Sequence, residues 1–119
     1  MQKAAIWVEN WELECCGNAF KTGDAVSWIV SECKTVYPDI VPCKVDYYYN
    51  NHARADEITY KLDGTVSEIE AIYALYQQVE RTLIPIAYKL VPFEDEAYGQ
   101  RLDSINEYKF CGYLVHIIN

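Results

Sequence analysis

The adjacent cysteines of the stretch ECCG, residues 14–17, are the first groups in this sequence that could do chemistry. Zinc sites usually take cysteine ligands from pairs separated by about two to four residues, because a short turn then directs both sulfurs at one ion. Cys15 and Cys16 lack this spacing, and neighbouring residues of a strand point to opposite faces. The pattern therefore predicts a core thiol at Cys15, a corner thiol at Cys16 and a turn at Gly17, with no metal or other cofactor.

The two histidines, His52 and His116, are the candidates for a general base. A reactive cysteine needs such a base, or a positive field, to lower its pKa. His116 lies in the apolar segment YLVHIIN, which is typical of a sheet histidine, whereas His52 lies in a polar segment that follows three tyrosines. One functional alternative is accordingly a small metal- or thiol-dependent enzyme that uses Cys16 and His52. Glu12 and Glu14 would share one strand face, and this face is predicted to be solvated.

The aromatic residues are the main indication of binding. The chain has eleven tyrosines and three tryptophans, and three of the tyrosines follow one another at 47–49. Successive residues of a strand alternate between its faces, so one or two of these rings point outward. Exposed rings favour contact with a protein or a small molecule, although they can also cover the core with their hydroxyls in water. The predicted binding surface comprises Trp11, Cys16, Tyr48, Tyr49 and His52.

The formal charge of −8 limits the classes of partner. Nucleic-acid binding depends on lysines and arginines that neutralise phosphates, and the ten basic residues here are scattered through the chain. Nucleic acids and anionic membranes are therefore disfavoured, and a basic partner is favoured. A second functional alternative is thus an acidic inhibitor or immunity-type protein that binds such a partner.

The segments that must position these residues alternate like strands. Residues 4–16 alternate with one change of parity, which predicts a strand with a bulge at Glu9-Asn10. Residues 26–30 alternate, and residues 44–49 are rich in tyrosine and valine, which favours two further strands. Loops are predicted at 37–43 and 50–56.

The second half of the chain contains one ambiguous stretch. Asp63-Gly64 lies between two alternating runs, which predicts a hairpin with a strand after the turn. Thr65 and Glu68 also form a capping box, so a helix over 65–79 is the alternative. Two prolines interrupt the apolar run at 82–93, which favours an edge strand. A charged loop at 94–104 and a terminal apolar strand are predicted to follow.

Short strands separated by glycine, proline and Asp-Gly turns predict an all-β protein, a small partly open barrel of the OB-like or SH3-like kind. The alternative is an α+β fold with a helix at about 65–79. We expect one domain, 1–119, because the chain is close to the commonest domain size.

The start of the chain lacks the apolar core of a signal peptide. No stretch approaches the ~20 apolar residues of a membrane span. The five cysteines are an odd number, which favours reduced thiols and the cytoplasm.

The stretch WELECCGNAFKTGDAVSW, residues 11–28, resembles the N-terminal signature of an uncharacterised bacterial family, W-x-x-E-C-C-G-x-x-F-x-x-G-D-x-V-x-W. The segment GTVSEIEAI, residues 64–72, is similar to a strand of the same family. The resemblance implies a bacterial cytoplasmic protein. Because the family is a domain of unknown function, the resemblance implies no activity and no catalytic residues. Together with the aromatic residues, it favours a non-enzymatic binding or interaction module.

Overall fold

Six strands and one short helix make up the regular structure of residues 2–15, 17–32, 44–50 and 56–119, the parts of the chain that the computed structural model describes. They are β1 (Lys3–Glu9), α1 (Asn10–Cys15), β2 (Ala25–Glu32), β3 (Tyr47–Tyr49), β4 (Tyr60–Val79), β5 (Thr82–Pro92) and β6 (Lys109–Ile118).

The strands form one sheet that closes on itself. Their order is β2-β3-β1-β6-β4-β5, and β2 also pairs with β4, which completes a ring of five strands. β1 and β3 are parallel, whereas the other pairs are antiparallel. The 20-residue strand β4 pairs with β2 near its start, with β6 along its middle and with β5 toward its end. The all-β prediction is confirmed, and β5 lies outside the ring, so the barrel is uneven.

Alternation along the strands divides the apolar side chains between two clusters. The larger cluster fills the inside of the ring of strands. There the indole of Trp28 lies 5.0 Å from the aromatic ring of Phe20 and 5.2 Å from that of Tyr49, measured between centroids. The smaller cluster lies on the outer face around Trp7 and Leu114, both buried. Edge-to-face contacts of this kind are typical of aromatic cores. The core of the fold therefore uses both faces of β1 and β6.

The predicted strand over 4–16 is wrong in its second half, because β1 ends at Glu9 and α1 begins at Asn10. The change of parity marks the start of a helix, not a bulge. Helical spacing buries Glu12 and Leu13 and leaves Trp11 exposed. The expected core thiol at Cys15 is also wrong, since this residue ends the helix in an exposed position.

The hairpin predicted at Asp63-Gly64 is wrong as well, because β4 continues through it. Gly64 lies where β4 closely approaches β6: a Cβ atom there would lie 2.5 Å from the Ile117 Cγ2 atom and 2.6 Å from the Ile118 carbonyl oxygen. The glycine therefore permits close packing of two strands and does not make a turn. The strand predicted over 65–79 is confirmed, and the helix alternative is wrong.

The remaining predicted elements are mostly confirmed. Strands occupy 26–30 and the C-terminal segment, and β5 pairs with β4 alone among the described strands, as its two prolines predict. The strand predicted over 44–49 is limited to β3. The loop predicted at 37–43, and most of that at 50–56, lie outside the described residues. No helix in the described parts of the chain is long and apolar enough to cross a membrane.

Candidate functional site

The structure places the predicted binding residues in different environments. Trp11 lies on α1 and is 56% exposed. Tyr48 lies on the outer face of β3, with its ring 6.5 Å from that of Trp7 in an edge-to-face contact. Tyr49 points into the ring of strands, is 7% exposed and packs on Trp28. Cys16 and His52 lie outside the described residues.

Tyr48 lines an open pocket at one end of the barrel, where β2 ends and β4 begins. We call this the rim pocket; its volume is about 410 Å³ and its principal lining residues are Glu32, Tyr48, Asp56, Glu57, Ile58 and Tyr60. Ile58 is 74% exposed, and Tyr60 is 44% exposed. The pocket thus combines exposed apolar surface with carboxylates.

Negative charge dominates the rim pocket. Three of its lining residues are acidic, and none of the described residues that line it is Lys or Arg. The Tyr60 hydroxyl donates to Glu32 Oε1 at 3.3 Å, and the Asn50 amide donates to Glu57 Oε2 at 2.7 Å. The negative charge of Glu32 is the largest of the effects that raise the pKa of Tyr60. Desolvation and the hydrogen bond to Glu32 raise this pKa further. A positively charged group would be stabilised in this pocket.

Trp11 lines a second pocket, between α1, the loop before β6 and the start of β6. We call this the α1 pocket; its volume is about 280 Å³ and its principal lining residues are Asn10, Trp11, Glu14, Arg101, Ser104 and Lys109. Arg101 Nε donates to Glu14 Oε1 at 3.2 Å and links the loop to the helix. The α1 pocket therefore has two cationic side chains, in contrast to the rim pocket.

Asn10 is buried at the base of α1 with an incomplete set of hydrogen bonds. Its Nδ2 donates to Glu14 Oε1 and to the Gly99 carbonyl oxygen, each at 3.3 Å. Its Oδ1 is also buried, and no described residue donates to it. Such an unpaired acceptor is uncommon, because burial without a partner costs about 1–3 kcal/mol.

Cys111 borders the α1 pocket on the side of the outer-face cluster. Burial, and to a smaller extent the carboxylate of Glu9, raise the pKa of its thiol to about 12. The thiol is therefore protonated at neutral pH, and it donates to the Ile72 carbonyl oxygen at 3.5 Å. Because the thiolate is the nucleophilic form, Cys111 is not an activated thiol.

Among the described residues, His116 pairs with a carboxylate. His116 lies on β6 with Nε2 2.8 Å from Glu70 Oε1, in agreement with the prediction of a sheet histidine. No group of three or more His, Cys, Asp or Glu residues among those described could hold a metal ion.

Sequence reasoning missed most of the residues that line the two pockets. Ile58 and Tyr60 belong to the alternating run before Asp63-Gly64, and Arg101 and Lys109 are separated in sequence from Trp11 by most of the chain. The net charge of −8 is the sequence feature that indicates an acidic surface such as the rim pocket. Nothing in the spacing of Arg101 and Lys109 indicates a shared pocket.

The fold and the two open pockets define a small all-β protein built on an uneven, closed sheet. The chain belongs to a family of unknown function, DUF6578, whose family model matches residues 2–119. This result supports the predicted membership of an uncharacterised domain family. No curated protein and no solved structure matches the chain.

Proposed function

We propose that this protein is a non-enzymatic binding module whose rim pocket receives a basic segment of a partner protein. The observation that carries the proposal is the juxtaposition of Ile58 and Tyr60, both exposed, with the carboxylates of Glu32, Asp56 and Glu57. Exposed apolar side chains supply affinity in protein interfaces, and surrounding charges select the partner.

Charge complementarity favours a basic partner. A lysine or arginine side chain has an apolar stem and a cationic end, so its stem can pack on Ile58 while its charge faces the carboxylates. Full burial of an isoleucine side chain contributes about 1.5–3 kcal/mol, which adds to the charge contacts of such a segment. The charge of −8 on the whole chain adds long-range attraction to the same partner.

The direct test uses a defined probe, a synthetic peptide in which lysine and valine alternate. We expect fluorescence anisotropy to detect binding that weakens as salt is added, since screening reduces attraction between exposed charges. The double variant Asp56→Asn/Glu57→Gln should weaken binding about tenfold, as expected for the loss of two charge contacts. Ile58→Ser should weaken binding while leaving its salt dependence unchanged.

The double variant Glu94→Gln/Glu107→Gln is the matched control, because it also removes two exposed carboxylates and neither residue lines the rim pocket. If this variant and the rim double variant bind the peptide equally, attraction is a property of the overall charge and the proposed site is wrong.

A cellular partner is sought by pull-down from a bacterial lysate at low and high salt. We propose the bacterial cytoplasm as the compartment, on the basis of the ECCG signature and the odd number of cysteines. A captured protein supports the proposal only if it is basic and is lost in the rim double variant but kept in Glu94→Gln/Glu107→Gln. A partner retained by all variants contradicts the rim assignment.

A further inference from the structure

We infer that two copies of this chain associate through the outer face of the ribbon, the two-stranded extension formed by the end of β4 and the start of β5, residues 75–87. The inference goes beyond the proposed function, because the ribbon contains none of the described residues that line the rim pocket. Its support comes from exposed apolar side chains, from a scarcity of charge and from a symmetric arrangement that makes the surface complementary to itself.

The ribbon extends from the barrel with one neighbour for each strand. Pairing between β4 and β6 ends at Ala74, and from there to the turn at Glu80-Arg81 the end of β4 pairs with β5 alone among the described strands. Strands of this length measure about 20 Å. A two-stranded ribbon is marginally stable in water, and packing against a further layer stabilises it. The ribbon therefore gains stability if another surface covers it.

The outer face of the ribbon carries exposed apolar side chains. Alternation along β4 puts Tyr76 on the same face as Ile72, which belongs to the outer-face cluster. Leu83 lies on this face of β5, because its partner in the ladder is Gln78. Tyr76 is 37% exposed, and Leu83 is 60% exposed. Neighbouring apolar side chains that remain exposed are typical of an interaction surface.

The distribution of charge permits a second copy to occupy this surface. Residues 73–88 include two charged side chains, Glu80 and Arg81, whose charges cancel, whereas 24% of the whole chain is charged. Two chains with a net charge of −8 repel one another where their acidic surfaces meet. The neutral ribbon lets two copies approach without contact between like charges.

A two-fold axis at the middle of the outer face makes the ribbon complementary to itself. We place the axis at the Gln77–Ile84 pair, which lies midway along the ribbon. The two ribbons are then antiparallel and face to face, and Tyr76 of each copy lies over the Gln78–Leu83 pair of the other. Each tyrosine ring thus covers an exposed leucine of the second copy, which is the isologous arrangement of a symmetric dimer.

The same axis brings opposite charges together. Glu80 and Ala74 are each three residues from Gln77, so the turn of one copy lies over the row of Ala74 in the other. Lys109 is the neighbour of Ala74 on β6, and it is exposed. Neither the Glu80 carboxylate nor the Lys109 ammonium forms an ion pair or a hydrogen bond with a described residue. The symmetric dimer therefore pairs Glu80 with Lys109 twice.

Sedimentation equilibrium of the full chain measures the association, at about 0.15 M salt so that the net charge is screened. Two ribbons form an interface at the low end of the usual size range, so we expect a dissociation constant on the order of 10–100 µM. Leu83→Ser should weaken the dimer at least about tenfold, because two leucine contacts are lost. Ile58→Ser is the matched control, since Ile58 is exposed and lies outside the ribbon, and it should leave the dimer unchanged.

Exchange of the paired charges tests the symmetry. Glu80→Lys and Lys109→Glu should each weaken the dimer several-fold, and the double variant should regain the affinity of the unmodified chain, since the ion pairs form again with reversed sign. Asp63→Lys changes the net charge as Glu80→Lys does, at an exposed position near the opposite end of β4. It lowers the repulsion between copies and should not weaken the dimer.

Hydrogen exchange at low and high protein concentration locates the interface. In the single chain the ribbon opens readily, and protection of residues 76–86 should rise with the population of the dimer.

The inference is overturned if the unmodified chain is a monomer at about 1 mM, or if Leu83→Ser and Ile58→Ser dimerise with equal affinity. It is also overturned if the charge-exchanged double variant dimerises no better than the single variants. A monomer that binds the basic peptide contradicts this inference alone, whereas a dimer that does not bind the peptide contradicts the proposed function alone.

Discussion

Single buried polar groups show where this protein tolerates an energetic cost. Asn10 and Tyr113 each have a buried polar atom without a hydrogen-bond partner among the described residues, and the half-buried carboxylate of Glu9 is partly desolvated. Glu9 accepts a hydrogen bond from the Trp7 indole at 3.0 Å, which only partly compensates for its desolvation. Such groups are sensitive to conservative substitutions that change charge or hydrogen bonding while preserving shape.

Glu9→Gln should stabilise the fold at neutral pH, by less than about 1 kcal/mol. Burial raises the pKa of Glu9, and the hydrogen bond from Trp7 lowers it by less. A carboxyl whose pKa is raised on folding favours the folded state when protonated, so its contribution is lost as the pH rises through the folded pKa. Gln keeps an acceptor for the indole without the charge.

Thermal unfolding of Glu9→Gln and of the unmodified protein between acidic and neutral pH checks this expectation. The difference between the two melting temperatures should increase with pH. A lower melting temperature of the variant at neutral pH would mean that the charge of Glu9 stabilises the fold.

Tyr113→Phe should leave stability unchanged or raise it by up to about 1 kcal/mol. The Tyr113 hydroxyl is buried inside the ring of strands, and no described residue forms a hydrogen bond with it. Burial also raises the pKa of this tyrosine. Removing a buried hydroxyl without a partner abolishes its desolvation cost and keeps the aromatic contacts with Phe20 and Phe110.

Chemical denaturation measures the effect, with Tyr73→Phe as the comparison inside the same cluster. A loss of more than about 1 kcal/mol in Tyr113→Phe would show that the hydroxyl has a partner, such as a buried water molecule.

At the scale of elements, β4 organises the fold because it contacts three other strands. Its first residues close the ring with β2, and its last residues extend beyond β6 as a two-stranded ribbon with β5. The two ends of β4 therefore have different support: one is packed within the ring, and the other depends on a single neighbour. Each end leads to its own prediction.

Gly64→Ala should destabilise the protein by about 1–3 kcal/mol, the usual cost of inserting an atom into a packed region. The added Cβ would lie 2.6 Å from the Ile118 carbonyl oxygen, so the backbone of β6 would have to move. Equilibrium unfolding in urea measures the loss, and Thr65→Ala, at the exposed neighbouring position, is the control. Equal stability of the two variants would show that β4 and β6 separate at little cost.

The ribbon formed by the ends of β4 and β5 should exchange its amide hydrogens faster than the rest of β4. Beyond Ala74 no residue of β4 pairs with β6, and the apolar side chains of Val79 and Leu83 remain exposed. An isolated two-stranded ribbon is only marginally stable in water, so local opening is expected there. Hydrogen exchange should give low protection for 76–86 and high protection for 68–74. Uniform protection would contradict this division.

At the scale of the whole molecule, the charge of −8 acts on stability as well as on partners. Like charges distributed over a small surface repel one another and oppose the compact state. Their repulsion extends over about 30 Å at 0.01 M salt but only about 8 Å at 0.15 M. Added salt should therefore stabilise the folded protein while it weakens binding of a basic partner.

We expect the melting temperature to rise as sodium chloride is increased from about 0.01 M to about 0.15 M at neutral pH. The response should shrink near pH 4.6, the isoelectric point, where net repulsion vanishes. A melting temperature that falls with salt would show that favourable ion pairs, such as that of Arg101 with Glu14, outweigh the net repulsion.

Neighbouring residues along the chain set the local character of most segments, which is why patterns in the sequence predict it. Alternation predicted the strand at 26–30, which is part of β2, and the prolines predicted that β5 is an edge strand. These features depend on neighbours in the chain, so pattern and propensity were sufficient. The acidic composition likewise indicated the class of partner that we propose.

The roles of Gly64, Asn10 and the pocket residues depend on contacts between distant segments of the chain. An Asp-Gly pair has the local chemistry of a turn, but pairing with β2 keeps β4 extended there, and Gly64 lets β6 approach closely. The helix at Asn10 is held by Gly99, and the α1 pocket joins Trp11 to Lys109, 98 residues later in the sequence. Such juxtapositions arise from strand pairing between distant segments, and the spacing of residues along the chain carries no record of them.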